Sequence, residues 1–410
     1  MQLYDPQRHE RLDAADWSEA RARGAIERIV ADAERGFSAA GLWPIHPFDV
    51  SPERPTALKP LYHGAAGVIW ALDHLVRTGA VAQCADFLPI VDELSERHHA
   101  DLRDNAEANA YMGPAVASYL FGDAGMWMLQ WKLARSAALS ERIHHALGVN
   151  PGDSRGLLWG AAGSMVAAVL MHTLTGDARW QTLYVRHFDG LWDRWTRAPE
   201  LDCWVWTEAL YGVTETRLGA LHGFVANAYA IVRGAHLLPA QRRDAAFERI
   251  AHTLRSTVLV EGGRANWPHD VGASTRPQRM PLLVQFCAGA PGVVACMAEF
   301  SAATGGSLDP LLRAAGELIW DAGPTTKFPV LCHGAVGAGY TMLKLHAHFR
   351  DDLWLARARA FAMHGVERAE RARLQYGQRK YSLWTGDLGL AVYLWDCVRA
   401  NAKLPTLDVF

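Results

Sequence analysis

Hydrophobic positions recur with helical spacing almost from end to end of this chain. In residues 14–38, Ile26, Ile29, Val30 and Ala33 share one face, which predicts an amphipathic helix. Residues 81–98, 128–147, 178–195, 239–259, 307–320 and 351–370 carry the same pattern. Between them lie runs that are apolar all round, such as 67–75, 163–174, 292–302 and 337–346. These predict helices buried on most sides. The alternation of half-buried strands is nearly absent. Residues 43–61 and 261–281 are rich in Pro, Gly and polar side chains and predict loops, the second a lid or rim over a site.

The apolar helices open on a shared signature, Gly-x-x-Gly. Its seven copies begin at Gly64, Gly122, Gly160, Gly223, Gly289, Gly334 and Gly386, and only the fourth loses its second glycine, to Ala226. One amphipathic helix lies between each two successive copies, and residues 14–38 complete the set. This predicts an all-α chain: an α/α toroid, a double ring of seven inner and seven outer helices. The glycines serve close backbone approach, and positive φ, at the crowded axis. The unequal spacing of the copies suits a closed ring with loop insertions better than an open solenoid. Residues 1–55 read as an N-terminal helical extension and 56–410 as the seven-repeat toroid domain.

Half of the residues are hydrophobic, enough for a large core. The 41 basic and 43 acidic side chains leave a net charge of −2, so no nucleic acid or anionic membrane is expected as a partner. Residues 1–23 are charged and lack an apolar signal-peptide core, and no apolar run is long enough to span a bilayer. A cytoplasmic location is the expectation. The sixteen Trp residues read as packing, with Trp159 and Trp384, at repeat turns, the two open to a cofactor role. Six cysteines are too few for a disulfide scaffold, and Cys84, Cys203, Cys296 and Cys397 are expected to be reduced and buried.

Quasi-symmetry points the residue before each first glycine to one place: His63, Phe121, Trp159, His222, Ala288, His333 and Thr385. Cys287 and Cys332 each stand two residues before the first glycine of neighbouring copies, so they should lie side by side. Two thiolates with His333 make a zinc site of three protein ligands with a fourth position open. Without that parallel placement both cysteines would read as buried core. His63 is expected to pack at its helix turn.

The segments Leu218-Gly219-Ala220-Leu221-His222-Gly223, Phe286-Cys287-Ala288-Gly289-Ala290-Pro291-Gly292, Leu331-Cys332-His333-Gly334 and Ser382-Leu383-Trp384-Thr385-Gly386 resemble the lanthionine synthetase C-like family, the LanC cyclases and their eukaryotic relatives. Residues 119–125 fit that family's second repeat, and the likeness runs from about residue 60 to 396. The resemblance implies zinc held by Cys287, Cys332 and His333. It implies addition of a thiol, from a peptide cysteine or glutathione, to dehydroalanine or dehydrobutyrine, forming a thioether. His222 takes the position of the family's general acid or base. The dehydrated peptide or protein substrate would come from a separate dehydratase or kinase partner, because the chain has no room for such a domain.

Three departures mark this sequence. Ala288 replaces an aromatic residue or His after the fifth-repeat cysteine. The basic residue expected before that cysteine is absent from residues 282–285, leaving Arg276 and Arg279 nearby. The acidic residue before the third-repeat glycine is also absent, with Asp153 somewhat upstream. An alternative is therefore a non-cyclase, zinc-dependent module that binds glutathione or another small thiol. A carbohydrate-active toroid using Glu208, Glu215 and Asp387 as carboxylates, and a scaffold, are further readings.

Overall fold

The computed structural model describes residues 2–12, 16–51, 57–150, 153–210, 212–271 and 281–410. Seven apolar helices, Ala65–Arg77, Asp123–Leu133, Ala161–Thr175, Phe224–Arg233, Ala290–Ala303, Ala335–Phe349 and Asp387–Arg399, each begin directly after a repeat glycine. They form the inner ring. Ala137–Val149, Arg179–Asp193, Ala240–Thr257, Asp309–Ala322 and Asp352–Tyr376 return along the outside. The helix expected over 81–98 is instead two pieces, Leu88–Val91 and Leu94–Asp104, because Pro89 sits in the first turn of a new helix rather than inside an old one. Glu19–Gly36 is the seventh outer helix. It buries Ile26, Ile29, Val30 and Ala33 and packs against Asp387–Arg399, so a segment from the start of the chain covers the last repeat.

Backbone hydrogen bonds between matched positions trace the closure. Tyr62 N–H donates to Leu120 O, Trp384 to Tyr62, Cys332 to Trp384 and Cys287 to Cys332, each at 3.0–3.1 Å. All five residues stand two before their first glycine. The seventh copy is thus bonded to the first, which makes the array a ring. The second glycines are needed for space. A Cβ on Gly292 would lie 1.9 Å from the Phe286 carbonyl oxygen and 2.6 Å from the Ala220 side chain of the adjoining copy. Positive φ occurs at only two of the first glycines, Gly223 (108°) and Gly289 (103°). The other five are extended, so close approach rather than handedness explains the repeat.

Residues 404–410 enter the ring from the end opposite the glycine turns. Thr406 O accepts from the Tyr119 hydroxyl at 2.6 Å and Thr406 Oγ1 from Trp384 Nε1 at 3.0 Å. Asp408 accepts from Tyr229 Oη at 2.6 Å and Lys344 Nζ at 2.7 Å. Phe410 meets Trp70 and Tyr119. The tail therefore ties inner helices of the first, fourth and sixth copies to the turns of the second and seventh. Burial pushes the Asp408 carboxyl up, but Lys344 and Arg233 outweigh it and hold its pKa below the usual range.

Among the described residues, three short antiparallel hairpins lie outside the helices. Among the described residues no helix is long and apolar enough to cross a membrane. Cys203, Cys296 and Cys397 are buried as expected, whereas Cys84 is only half-buried. Trp384 is held by Thr406, and Trp159 meets Phe121 and Tyr111 edge-on.

Candidate metal and thiol site

The quasi-symmetric turns converge on one end of the axis. His63, Phe121, His222, His333 and Thr385 all line a cavity of about 370 Å³ there, while Trp159 and Ala288 face adjoining cavities. His63 stacks flat on Phe121 with ring centroids 4.8 Å apart, the packing role expected of it. The segment 43–49 covers part of the mouth with Trp43, His46 and Phe48. Of the segment 261–281 expected as a lid, residues 272–280, with the substitutes Arg276 and Arg279, lie outside the described residues, while 261–266 belong to a short hairpin.

Cys287 and Cys332 meet. Their side chains hydrogen-bond to each other, and that contact, with burial, pushes the Cys332 thiol well above its ordinary pKa. Two groups temper this. The Tyr62 hydroxyl bonds to the Cys332 sulfur and Lys327 adds positive charge, each favouring the thiolate; the Cys287 thiol also donates to Gln285 Oε1 at 3.6 Å. Tyr62 occupies the same repeat position as the two cysteines. Aligning that position across copies would have found it, but a search for His and Cys passed it by.

Two adjacent thiols are soft donors suited to zinc. The third expected donor, His333, lines the central cavity rather than the one that holds Cys287, and burial, then Lys327 and Lys380, push its pKa down to about 4. Among the described residues, however, no three His, Cys, Asp or Glu side chains are grouped to hold a metal. The donor set fits zinc in its chemistry and in the meeting of the thiols, and its third member stands apart from them.

His222 lines the central cavity and also a second one, of about 430 Å³, that contains Cys287. Burial, then Arg217, push its pKa down to about 3, against a hydrogen bond to the Arg155 backbone that favours the charged form. The ring is therefore neutral at pH 7. A third cavity, of about 440 Å³, adjoins at His333 and carries Lys327, Arg368, Arg371 and Lys380. This basic wall is dispersed over the sequence and gave no motif.

The carboxylates considered for carbohydrate chemistry are engaged elsewhere. Glu208 and Glu215 both bind Arg217, Asp387 pairs with Arg379 at 3.4 Å, and none lines these cavities. Asp153 pairs with Arg155 at 2.7 Å.

The family described as Lanthionine synthetase C-like protein matches residues 57–409. The chain belongs to the lanthionine synthetase C-like family. Among known proteins, this LanC-like chain is 29% identical over 198 residues to "Glutathione S-transferase LANCL1" of Danio rerio, which covers 48% of this chain and 46% of that one. It thus spans about half the length of that curated relative. Among solved structures, nisin cyclase superposes with a TM-score of 0.55 at 13% identity, over 93% of this chain and 100% of the other. That likeness carries the toroid fold.

Acid should weaken the metal-free LanC-like chain. His74, His98, His187 and His333 are held at about 4 and His222 at about 3, first by burial. These folded pKa values lie below that of a free imidazole, about 6.5. Each ring therefore favours folding above that value and loses its contribution as pH falls through it. Burial raises Glu208 and Asp396 to about 7 and Asp387 to about 6, which works the other way. Five rings outweigh three carboxyls between pH 4.5 and 6.5. The urea midpoint should fall as pH is lowered from 7 to 4.5; a constant or rising midpoint would contradict the sign.

Proposed function

We propose that this LanC-like protein is a zinc-dependent catalyst that adds a thiol to dehydroalanine or dehydrobutyrine residues, forming a thioether. The observation that carries the reading is the contact between Cys287 and Cys332 beside a cavity that His222 also lines. Zinc held by Cys287, Cys332 and His333 would lower the pKa of a substrate thiol and keep it as a thiolate next to the acceptor. The remaining chemistry falls to the chain's own residues. The hydrogen bond to the Arg155 carbonyl fixes one N–H of neutral His222, so the other ring nitrogen carries a lone pair. That nitrogen takes the thiol proton. As sulfur bonds to the β-carbon, the π pair moves onto the acceptor's α-carbon and carbonyl, and His222 returns the proton to the α-carbon.

The basic cavity beside His333 suits a small thiol that bears carboxylates, such as glutathione. The name of the Danio rerio relative agrees with that donor. It also supports a second reading, a zinc-dependent module that binds glutathione or another small thiol without closing peptide rings. The test is one assay set: zinc content by metal analysis, then mass spectrometry of a dehydroalanine peptide with either an internal cysteine or added glutathione. Zinc-loaded protein that adds neither thiol would leave only the binding module.

His222→Asn should keep the fold and the zinc and lose thiol addition by roughly 10²–10⁴-fold, the range for a positioned acid–base group. Circular dichroism and metal content separate this from misfolding. A zinc-loaded variant working at the parent rate removes His222 from the reaction.

A further inference from the structure

Thiol addition needs room for two substrates. The central cavity, at about 370 Å³, lies near the lower end of the roughly 300–1,000 Å³ of small-molecule sites. A dehydroamino acid that reaches His222 must therefore leave the rest of its peptide outside. Three other cavities adjoin. The one beside His333 is walled by cations and suits an anionic donor, and the one that holds Cys287 measures about 430 Å³. The third is an open groove of about 840 Å³, twice the volume of either.

This groove joins the central cavity at three points. Tyr111 lines both and stands 37% exposed between them. Leu158 of the central cavity is followed in the chain by Trp159 of the groove, whose ring meets Tyr111 edge-on at 5.7 Å. Arg155, also in the groove, is bonded through its backbone to His222.

The two walls carry small side chains. One is the hairpin of Glu208–Leu210 and Val213–Glu215, where Ala209 and Thr214 pair across the strands and are both exposed. Glu208 and Glu215 turn inward and bind Arg217, which fixes that wall against the ring. The other wall is Ala110, in the helix Ala106–Met112, with Pro114 just after it. Between them runs a channel floored by Tyr111 and Trp159, with the width an extended backbone needs. Its lining holds one acid, Glu107, and one base, Arg155, which is already paired with Asp153. Unlike the cavity beside His333, it offers an anionic chain no cationic wall.

We propose that this groove seats an uncharged, extended stretch of the acceptor peptide, the residues flanking the dehydroamino acid, which passes over Tyr111 into the central cavity. The purpose rests on the thiol-addition reading; the binding does not.

The experiment therefore reads binding, without thiol, by fluorescence anisotropy on the full chain. The probe is a fluorescein-labelled peptide of about nine residues, roughly 30 Å when extended, with dehydroalanine at its centre and flanks of Ala, Ser and Val. It should bind at least about tenfold tighter than a labelled dehydroalanine tripeptide, the worth of two or so buried methylene groups. Ala209→Trp and Ala110→Trp fill the groove from opposite walls at exposed positions, and each should weaken the longer peptide about tenfold while circular dichroism shows the fold kept. Should both misfold, Tyr111→Ala, which removes the floor, is read in their place with the same expected loss. A folded tryptophan variant that binds like the parent overturns the proposal, as does a longer peptide that binds no tighter than the tripeptide. Tighter binding of a peptide with Glu in its flanks would place them in the basic cavity and overturn it too. A parent dimer that either variant splits in the ultracentrifuge would give the groove to a second copy instead. If the peptide binds as expected but no thiol is added, the groove stands and the reaction falls.

Discussion

Cys332→Ala should lose zinc affinity by at least about 100-fold and, with it, thiol addition down to the uncatalysed rate. Removing mere partners of metal ligands costs 10–100-fold in many sites, and removing a ligand costs more. Here the loss would be compounded, because Cys332 links two of the features that make the site. Its sulfur contacts Cys287 and Tyr62, while its backbone N–H and C=O join the sixth copy to the seventh and fifth. Alanine keeps those backbone bonds and deletes only the sulfur, so the ring should still fold. Metal analysis and a dehydroalanine-peptide assay on Cys332→Ala and Cys287→Ala decide the matter. Full zinc retention in both variants would sink the site.

The second large effect is expected far from the chemistry. Asp408→Ala should destabilise the protein by about 3–5 kcal/mol, the cost of breaking a buried ion pair from one side. Lys344 and Arg233 both lean on this carboxylate, and its side chain is 0% exposed. Glu299, 3.4 Å from Lys344, keeps a partner for the lysine but is itself partly exposed. Equilibrium urea unfolding measures the change. Asp408→Asn keeps the shape and a hydrogen bond to Tyr229, so it should lose less than alanine. Equal midpoints for alanine and parent would show that the tail does not hold the inner helices together.

What the sequence made legible was whatever the repeat writes seven times. The Gly-x-x-Gly register located every inner helix, and the matched placement of Cys287 and Cys332 predicted two thiols side by side. Their contact follows from the same backbone ladder that closes the ring. Residues that occur once were hidden. Arg217 meets Glu208 and Glu215 only because a hairpin folds beside the fourth turn, and nothing periodic signals that. Lys327, the helix residues Arg368 and Arg371, and Lys380 come from three segments and share a wall only in the folded ring. The tail at 404–410 carries no copy of the repeat, and its role depends on five copies at once. The positive φ expected of the glycines was over-generalised, since a missing Cβ can serve packing at an extended residue just as well.

Closure of the ring by an early helix also sets an order of events during synthesis. Glu19–Gly36 packs chiefly against Asp387–Arg399, with a smaller contact to Asp352–Tyr376. At the usual elongation rate of about 5–20 residues per second, that chief partner follows roughly 20–70 seconds later. Throughout that interval Ile26, Ile29 and Val30 stay uncovered on a nascent chain. The ring is therefore completed only after most of the chain has left the ribosome, and the helix Glu19–Gly36 keeps an apolar face uncovered until then.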